Sequence, residues 1–361
     1  MTRAFTADRR QLAELRLTAQ GIAGEPLGSP VDVVTHMLAM QGQDFRGALW
    51  SVGLRTASAT TADVERALAE RQVVRSWPMR GTLHLVPAVD LGWMLQLTGE
   101  RIFASAAGRH RQLGLDESQF SRARSTAERV LAGGLVTSRA ALLEEFTAAG
   151  LDVSGQRGSH ILLALSVRQV LVFGPVDGTT QTFTLLDEWV RNPRRLEGDE
   201  ALAEFVLRYF LSHGPATIRD FAWWSSLTLT DARRGLAAVL HELESLDVDG
   251  TTYYHRPGLE AAPAGVHVLP GFDEYVLGYQ DRSAQLAAEY AATIVPGGNG
   301  MFRSTIVVGG EIVGTWSKTA SAKKVRVELQ PFAALSQRDR GSAVGALRRY
   351  GDFVGLAVDP V

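Results

Sequence analysis

Cysteine is absent from the 361 residues. That excludes disulfides, iron–sulfur clusters and cysteine-ligated zinc together. Lysine is scarce, occurring only at Lys318, Lys323 and Lys324, so every other cation is arginine. Arginine grips phosphate through paired N–H bonds and stacks flat on bases. A GC-rich coding sequence produces the same bias, so the preference by itself names no partner. Strong charge of either sign is missing as well: the net charge is −2, without the basic excess usual in nucleic-acid-binding domains. No apolar run reaches the roughly 18 residues that a membrane helix needs. The opening MTRAFTADRRQ is not followed by the apolar core of a signal peptide. Together these absences favour a reducing cytoplasm and no membrane.

Several chemistries are missing too. The eight histidines (36, 84, 110, 160, 213, 241, 255, 267) form no HExxH and no close pair, so neither metal nor cofactor is expected. There is no G-x-S-x-G nucleophile elbow. The glycine-rich PGGNG at 296–300 precedes a strand rather than a helix, so it lacks the helix N-terminus that cradles phosphate. It reads as a turn.

What is present is a weak repeat in a chain long enough for two or three domains. Three times, helical patterns give way to a β-rich stretch, a turn and a second β-rich stretch. The first copy closes with VVRSWPMRGTLHLVP at 73–87, after helices near 8–19, 30–40 and 61–71. The second closes at 170–186 and the third at 246–257, turning on Asp177-Gly178 and Asp249-Gly250. Glycine accepts the positive φ that such tight hairpin turns require. Thr137 or Ser138 is a candidate N-cap for the helix of the second copy, and Thr217 with Asp220 forms a capping box in the third. A further helix is expected from Thr230-Asp231 to about Leu246. Helices followed by a β-hairpin are the chain order of a winged helix.

From Gly265 the pattern changes to short strands with glycine-rich turns at 297–300 and 309–310, then a last helix near 338–350. The expected fold class is therefore α+β: three tandem winged-helix domains at 1–95, 96–195 and 196–262, followed by a small antiparallel β-barrel at 263–361.

One cluster remains for chemistry, Met40-Gln41-Gly42-Gln43-Asp44, at the end of the apolar stretch VDVVTHMLAM. On residue type alone, two glutamines about a glycine at a helix end are a polar, solvated cap, since glutamine is neither acid nor base. A resemblance changes this reading. MQGQDFRGALWSVGLR, VVRSWPMRGTLHLVP, GPATIRDFAWWSSL, LPGFDEYVLGYQDR and GNGMFRSTIVVGGEIVGTW, in this order, are similar to the winged-helix DNA glycosylase family typified by AlkZ and AlkX. The resemblance covers nearly the whole chain. It implies three winged helices and a β-barrel, excision of N7-alkylated purines from double-stranded DNA, and crosslink unhooking in some members. The family's Gln-x-Gln signature falls on Gln41 and Gln43, which are the implied catalytic residues.

That chemistry is consistent with two neutral amides. A purine alkylated at N7 is already cationic and leaves without being protonated. What remains is to place a water and to stabilise positive charge growing on the sugar, which amide carbonyls can do. Arg80 and His84 in the first hairpin, and Arg75 beside them, are candidate DNA contacts; the alternative is a wing whose polar residues merely face water. Asp44 is read as a helix cap, and Asp273, Tyr279, Asp281, Arg282 and Trp223-Trp224 as structural. The rival to a monomeric glycosylase is a non-enzymatic winged-helix DNA-binding protein, either a transcriptional regulator or a lesion binder.

Overall fold

The computed structural model describes residues 5–6, 8–176, 178, 180–298, 300–321 and 324–360. The chain forms two compact units, one of residues 1–64 with 203–361 and one of residues 65–202. The architecture is mixed α+β.

The second unit holds the hairpin Val73–Met79 and Thr82–Pro87, which turns on Arg80 and Gly81, both at positive φ (56° and 67°). Two successive positive-φ residues are the backbone of the turn that matches strand twist. Helix Glu117–Leu131, strand Thr137–Ser138, helices Arg139–Ala148 and Arg157–Val167, and the hairpin Leu171–Phe173 with Thr182–Leu185 then follow. The short strand pairs antiparallel with Thr182–Leu185 to make three strands. Ser138 is the N-cap, accepting from Ala141 N–H. Of the second hairpin's turn, Gly178 has φ 61°, while Asp177 lies outside the described residues. Leu131, Leu142, Phe146, Ile161, Leu171 and Phe183 pack into one buried apolar cluster here. At about 25 cal/mol per Å² of apolar surface removed from water, such a cluster is the main source of this unit's stability.

The third helix-and-hairpin copy is Gly198–His213, whose first turn belongs to the second unit, then Ile218–Ser225 and Leu229–Val239 in the first, followed by Glu244–Val248 and Thr251–His255. The Thr217–Asp220 capping box is complete, and Asp249 and Gly250 turn the hairpin at φ 52° and 76°. The helix expected to start at Thr230-Asp231 is instead capped by Thr228 and ends at Val239. The sequence up to Leu246 therefore belongs to a short 3-10 turn and the first strand of the hairpin.

The C-terminal segment departs from expectation in two ways. FDEYVLGY, read as strand, contains the helix Glu274–Leu277, because Asp273 caps it by accepting from Tyr275 N–H. The predicted barrel is a half-barrel. Strands Val266–Leu269, Thr305–Val308, Glu311–Ala320, Lys324–Pro331 and Ala357–Pro360 are neighbours in that order, and the two end strands do not pair with each other. The last pairing is parallel, formed after the chain returns along helix Gln337–Val354. Asn299 and Lys323 lie outside the described residues.

Candidate active site

The apolar stretch before the glutamine motif is helical only over Pro30–Met37. Leu38 takes φ 61°, and this left-handed residue ends the helix three positions earlier than its apolar pattern suggests. Met40–Gln41 is a two-residue strand, so the motif starts on extended backbone rather than on a helix end. Asp44 then caps helix Phe45–Gly53 by accepting from Gly47 N–H at 3.2 Å. Gly47 lets the carboxylate sit close, since a β-carbon there would stand 2.7 Å from an Asp44 carboxylate oxygen and displace the cap.

Gln41 is 6% exposed, while Gln43 is exposed. The Gln43 main-chain N–H donates to the Gln41 side-chain carbonyl at 2.9 Å. An amide oxygen has two lone pairs, so this bond orients the Gln41 carboxamide and leaves one acceptor position for a water. The Gln41 main-chain N–H donates in turn to Glu274 Oε1 at 2.7 Å.

The ground under the motif is polar. Glu274 Oε2 accepts from the Trp224 indole N–H at 2.9 Å, with His213 Nε2 at 3.5 Å from the same oxygen. His213 stacks on Tyr209 with ring centroids 4.8 Å apart. Gly278 makes room for it, because a β-carbon at 278 would stand 2.6 Å from the imidazole. On the other side Asp273 receives both arms of Arg55, at 2.9 and 3.0 Å, and the hydroxyl of Ser51. Arg55 also donates to the main-chain and side-chain carbonyls of Gln20. Gln20 donates to Tyr279 and to the Glu274 main-chain carbonyl. Burial pushes the Tyr279 hydroxyl well above the ordinary tyrosine range, so it stays protonated and donates to the His213 carbonyl. No group of three or more metal-ligating side chains occurs among the described residues.

Asp273 and Tyr279 are thus structural, as expected. Arg282 packs over Trp223 and Phe302 and donates to the Val276 carbonyl, and Asp281 accepts from Ser283 N–H. Trp224 is fully buried, yet its indole reaches Glu274 rather than serving as plain core. Glu274 and His213 were not singled out from the sequence. The adjacent acids Asp273 and Glu274 within an otherwise apolar run, FDEYVLGY, were the available signal.

The first hairpin lies in the other unit. Arg80 sits at its tip, partly exposed, and donates to His84 Nε2 at 3.1 Å, while His84 Nδ1 donates to the Thr82 carbonyl. His84 is 0% and Arg75 4% exposed, with the Arg75 guanidinium over the Phe173 ring. Neither side chain faces outward on its strand. Of the three side chains expected to meet DNA, Arg80 is partly exposed, while Arg75 and His84 are buried.

The comparisons with known proteins bear on the family. The family model for AlkZ-like DNA glycosylases matches residues 34–353. The chain belongs to the AlkZ-like DNA glycosylase family. It is 30% identical over 332 residues to an interstrand DNA cross-link repair glycosylase of Streptomyces sahachiroi, covering 86% of this chain and 88% of that protein. The solved structure of the Streptomyces sahachiroi DNA glycosylase AlkZ superposes with a TM-score of 0.82 at 25% identity, covering 99% of this chain and 100% of that one.

Proposed function

We propose that this chain is a monomeric, monofunctional DNA glycosylase. It hydrolyses the N-glycosidic bond of cationic N7-alkylated purines in double-stranded DNA and unhooks interstrand crosslinks. The observation that carries the reading is Gln41: buried, on extended backbone, with its carbonyl oriented by Gln43 N–H and its own N–H held by a carboxylate.

In this mechanism Gln41 and Gln43 are the catalytic residues. Their carbonyls accept hydrogen bonds from the attacking water and aim their dipoles at the sugar as it becomes oxocarbenium-like. No proton need reach the departing base, which the alkyl group has already made cationic. A carboxylate at this position would favour a broader range of bases, as in sugar hydrolysis; neutral amides restrict the enzyme to activated ones. Strand cleavage through an imine needs an amine nucleophile. The three lysines all fall between 318 and 324, where Lys318 donates to Tyr350 and Lys324 to Asp359. That supports hydrolysis without lyase activity.

We read the helix-and-hairpin segments 1–95, 96–195 and 196–262 as three winged-helix modules, with 263–361 as the half-barrel segment. Arg80 contacts phosphate, and His84 and Arg75 act beneath it as supports of the wing. The enzyme works in the bacterial cytoplasm, on the nucleoid when bound to DNA.

Duplex DNA carrying 7-methylguanine, or a nitrogen-mustard crosslink, tests the reading. Alkali should reveal abasic sites after incubation with the wild type. Gln41→Ala and Gln43→Ala should each lose about a hundredfold or more in single-turnover rate, the scale of losing a preorganised polar group. Undiminished release in both variants would move the chemistry elsewhere. Strand breaks before alkali would refute monofunctional action, and release of unmodified adenine at a similar rate would refute the restriction to cationic bases.

A further inference from the structure

Glu274 and Gln41 are 233 residues apart in sequence and 2.7 Å apart in the fold. We propose that Glu274 is the positioning residue of the active site, a clamp that sets the places of both catalytic glutamines through one main-chain bond. The inference rests on the glycosylase reading above.

The bonds form a closed circuit. Gln41 N–H donates to Glu274 Oε1, and Gln43 N–H donates to the Gln41 side-chain carbonyl. A shift of the main chain at 41 therefore moves both carboxamides. The motif leads directly into helix Phe45–Gly53 through the Asp44 cap. Ser51 on that helix, and Arg55 just beyond it, hold Asp273. Asp273 caps the four-residue helix Glu274–Leu277 and so fixes the residue that returns to Gln41. Every side chain in this circuit apart from Gln43 and Asp44 is buried.

The carboxylate cannot be replaced by its own amide. Glu274 accepts an N–H on each oxygen, from Gln41 and from Trp224. A carboxamide of the same shape offers one accepting oxygen and one donating nitrogen, so one of the two N–H groups would face another donor. The clamp opens with almost no change in volume. Displacements of about 1 Å in a positioned group can cost on the order of a hundredfold in rate.

The deciding experiment compares Glu274→Gln with wild type on 7-methylguanine duplex, measuring single-turnover rate, DNA dissociation constant and melting temperature together. The rate should fall about ten- to a hundredfold, with DNA affinity unchanged and the folded fraction intact. In a labelled sample the Gln41 amide proton should move upfield, as its bond to a carboxylate is lost. A wild-type rate overturns the proposal, and so does a fall in rate that only tracks lost folding or lost DNA binding. Should Glu274→Gln fail to fold, Trp224→Phe decides. It removes the indole donor that holds the carboxylate and should slow the rate by about two- to fivefold at unchanged affinity; an unchanged rate overturns the clamp. Gln41→Ala separates the two levels of argument. If it is fully active, the assignment of Gln41 as a catalytic residue fails, and the clamp with it. If it is inactive while Glu274→Gln is normal, only the clamp fails.

Discussion

Beneath Gln41 the buried side chains are Gln20, Arg55, Asp273, Glu274 and His213, whereas the interior of residues 65–202 is built from Leu131, Leu142, Phe146, Ile161 and Phe183. Both sets are removed from water to the same degree. Apolar packing is non-directional and tolerates small rearrangements, while buried polar groups are stable only with every partner in place. The second unit is thus held by shape and volume. The site floor is held by geometry, and geometry is what orienting two carboxamides requires.

The sharpest way to break this contrast is to remove Arg55. Arg55→Ala leaves Asp273 charged and buried without its guanidinium, at a cost of about 3–5 kcal/mol. Chemical denaturation should show that loss, and the activity of the molecules that remain folded should fall with it, since Asp273 sets the helix bearing Glu274. In the apolar unit, Leu142→Ala should cost about 2–5 kcal/mol and leave activity per folded molecule unchanged. If Leu142→Ala impairs catalysis as much as Arg55→Ala does, the division of labour is wrong. The double variant Arg55→Leu with Asp273→Leu sharpens the point: apolar replacement of a buried pair is often neutral in stability, but here it should not restore activity.

A smaller effect is expected at the first hairpin. Arg80→Ala should weaken binding to damaged and undamaged duplex alike, by about tenfold or less, and reduce the salt dependence by roughly one phosphate contact. An unchanged salt slope would show that Arg80 does not meet the backbone.

The smallest effect is in pH. Burial lowers the pKa of His110 and His160 in one unit, and of His36 and His267 in the other, from the ordinary 6.5. Above that value the histidines are neutral in both the folded and unfolded chain, and stability is full. As the pH falls below it the unfolded chain takes protons that the fold resists, and stability drops until the lowered folded values are reached. The melting temperature should be level above about pH 7 and decline below 6.5. His160→Gln should shrink the decline; a melting temperature that rises on acidification would contradict it.

Local interactions were legible in the sequence because they depend on neighbours a few residues away. The Thr217–Asp220 capping box, the Asp249-Gly250 turn, the cap at Ser138 and the Asp44 cap all formed as their residue types and spacing indicate. The hairpin strands and the α+β class followed from periodicity, and resemblance singled out Gln41 and Gln43. Features that balance two competing preferences were not legible. Leu38 ends a helix through a left-handed backbone that its side chain does not favour, and Asp273 turns an apolar strand-like run into a capped helical turn once Arg55 holds it. The last strand of the half-barrel adds in parallel after a helical return, and no turn signal records that. Outward or inward facing of Arg75 and His84 was likewise decided by packing. The tie between Glu274 and Gln41 belongs wholly to the tertiary structure, since it joins residues 233 positions apart. Composition and spacing placed two neutral amides in the chain; only folding set a buried carboxylate beneath them, where one hydrogen bond can hold both.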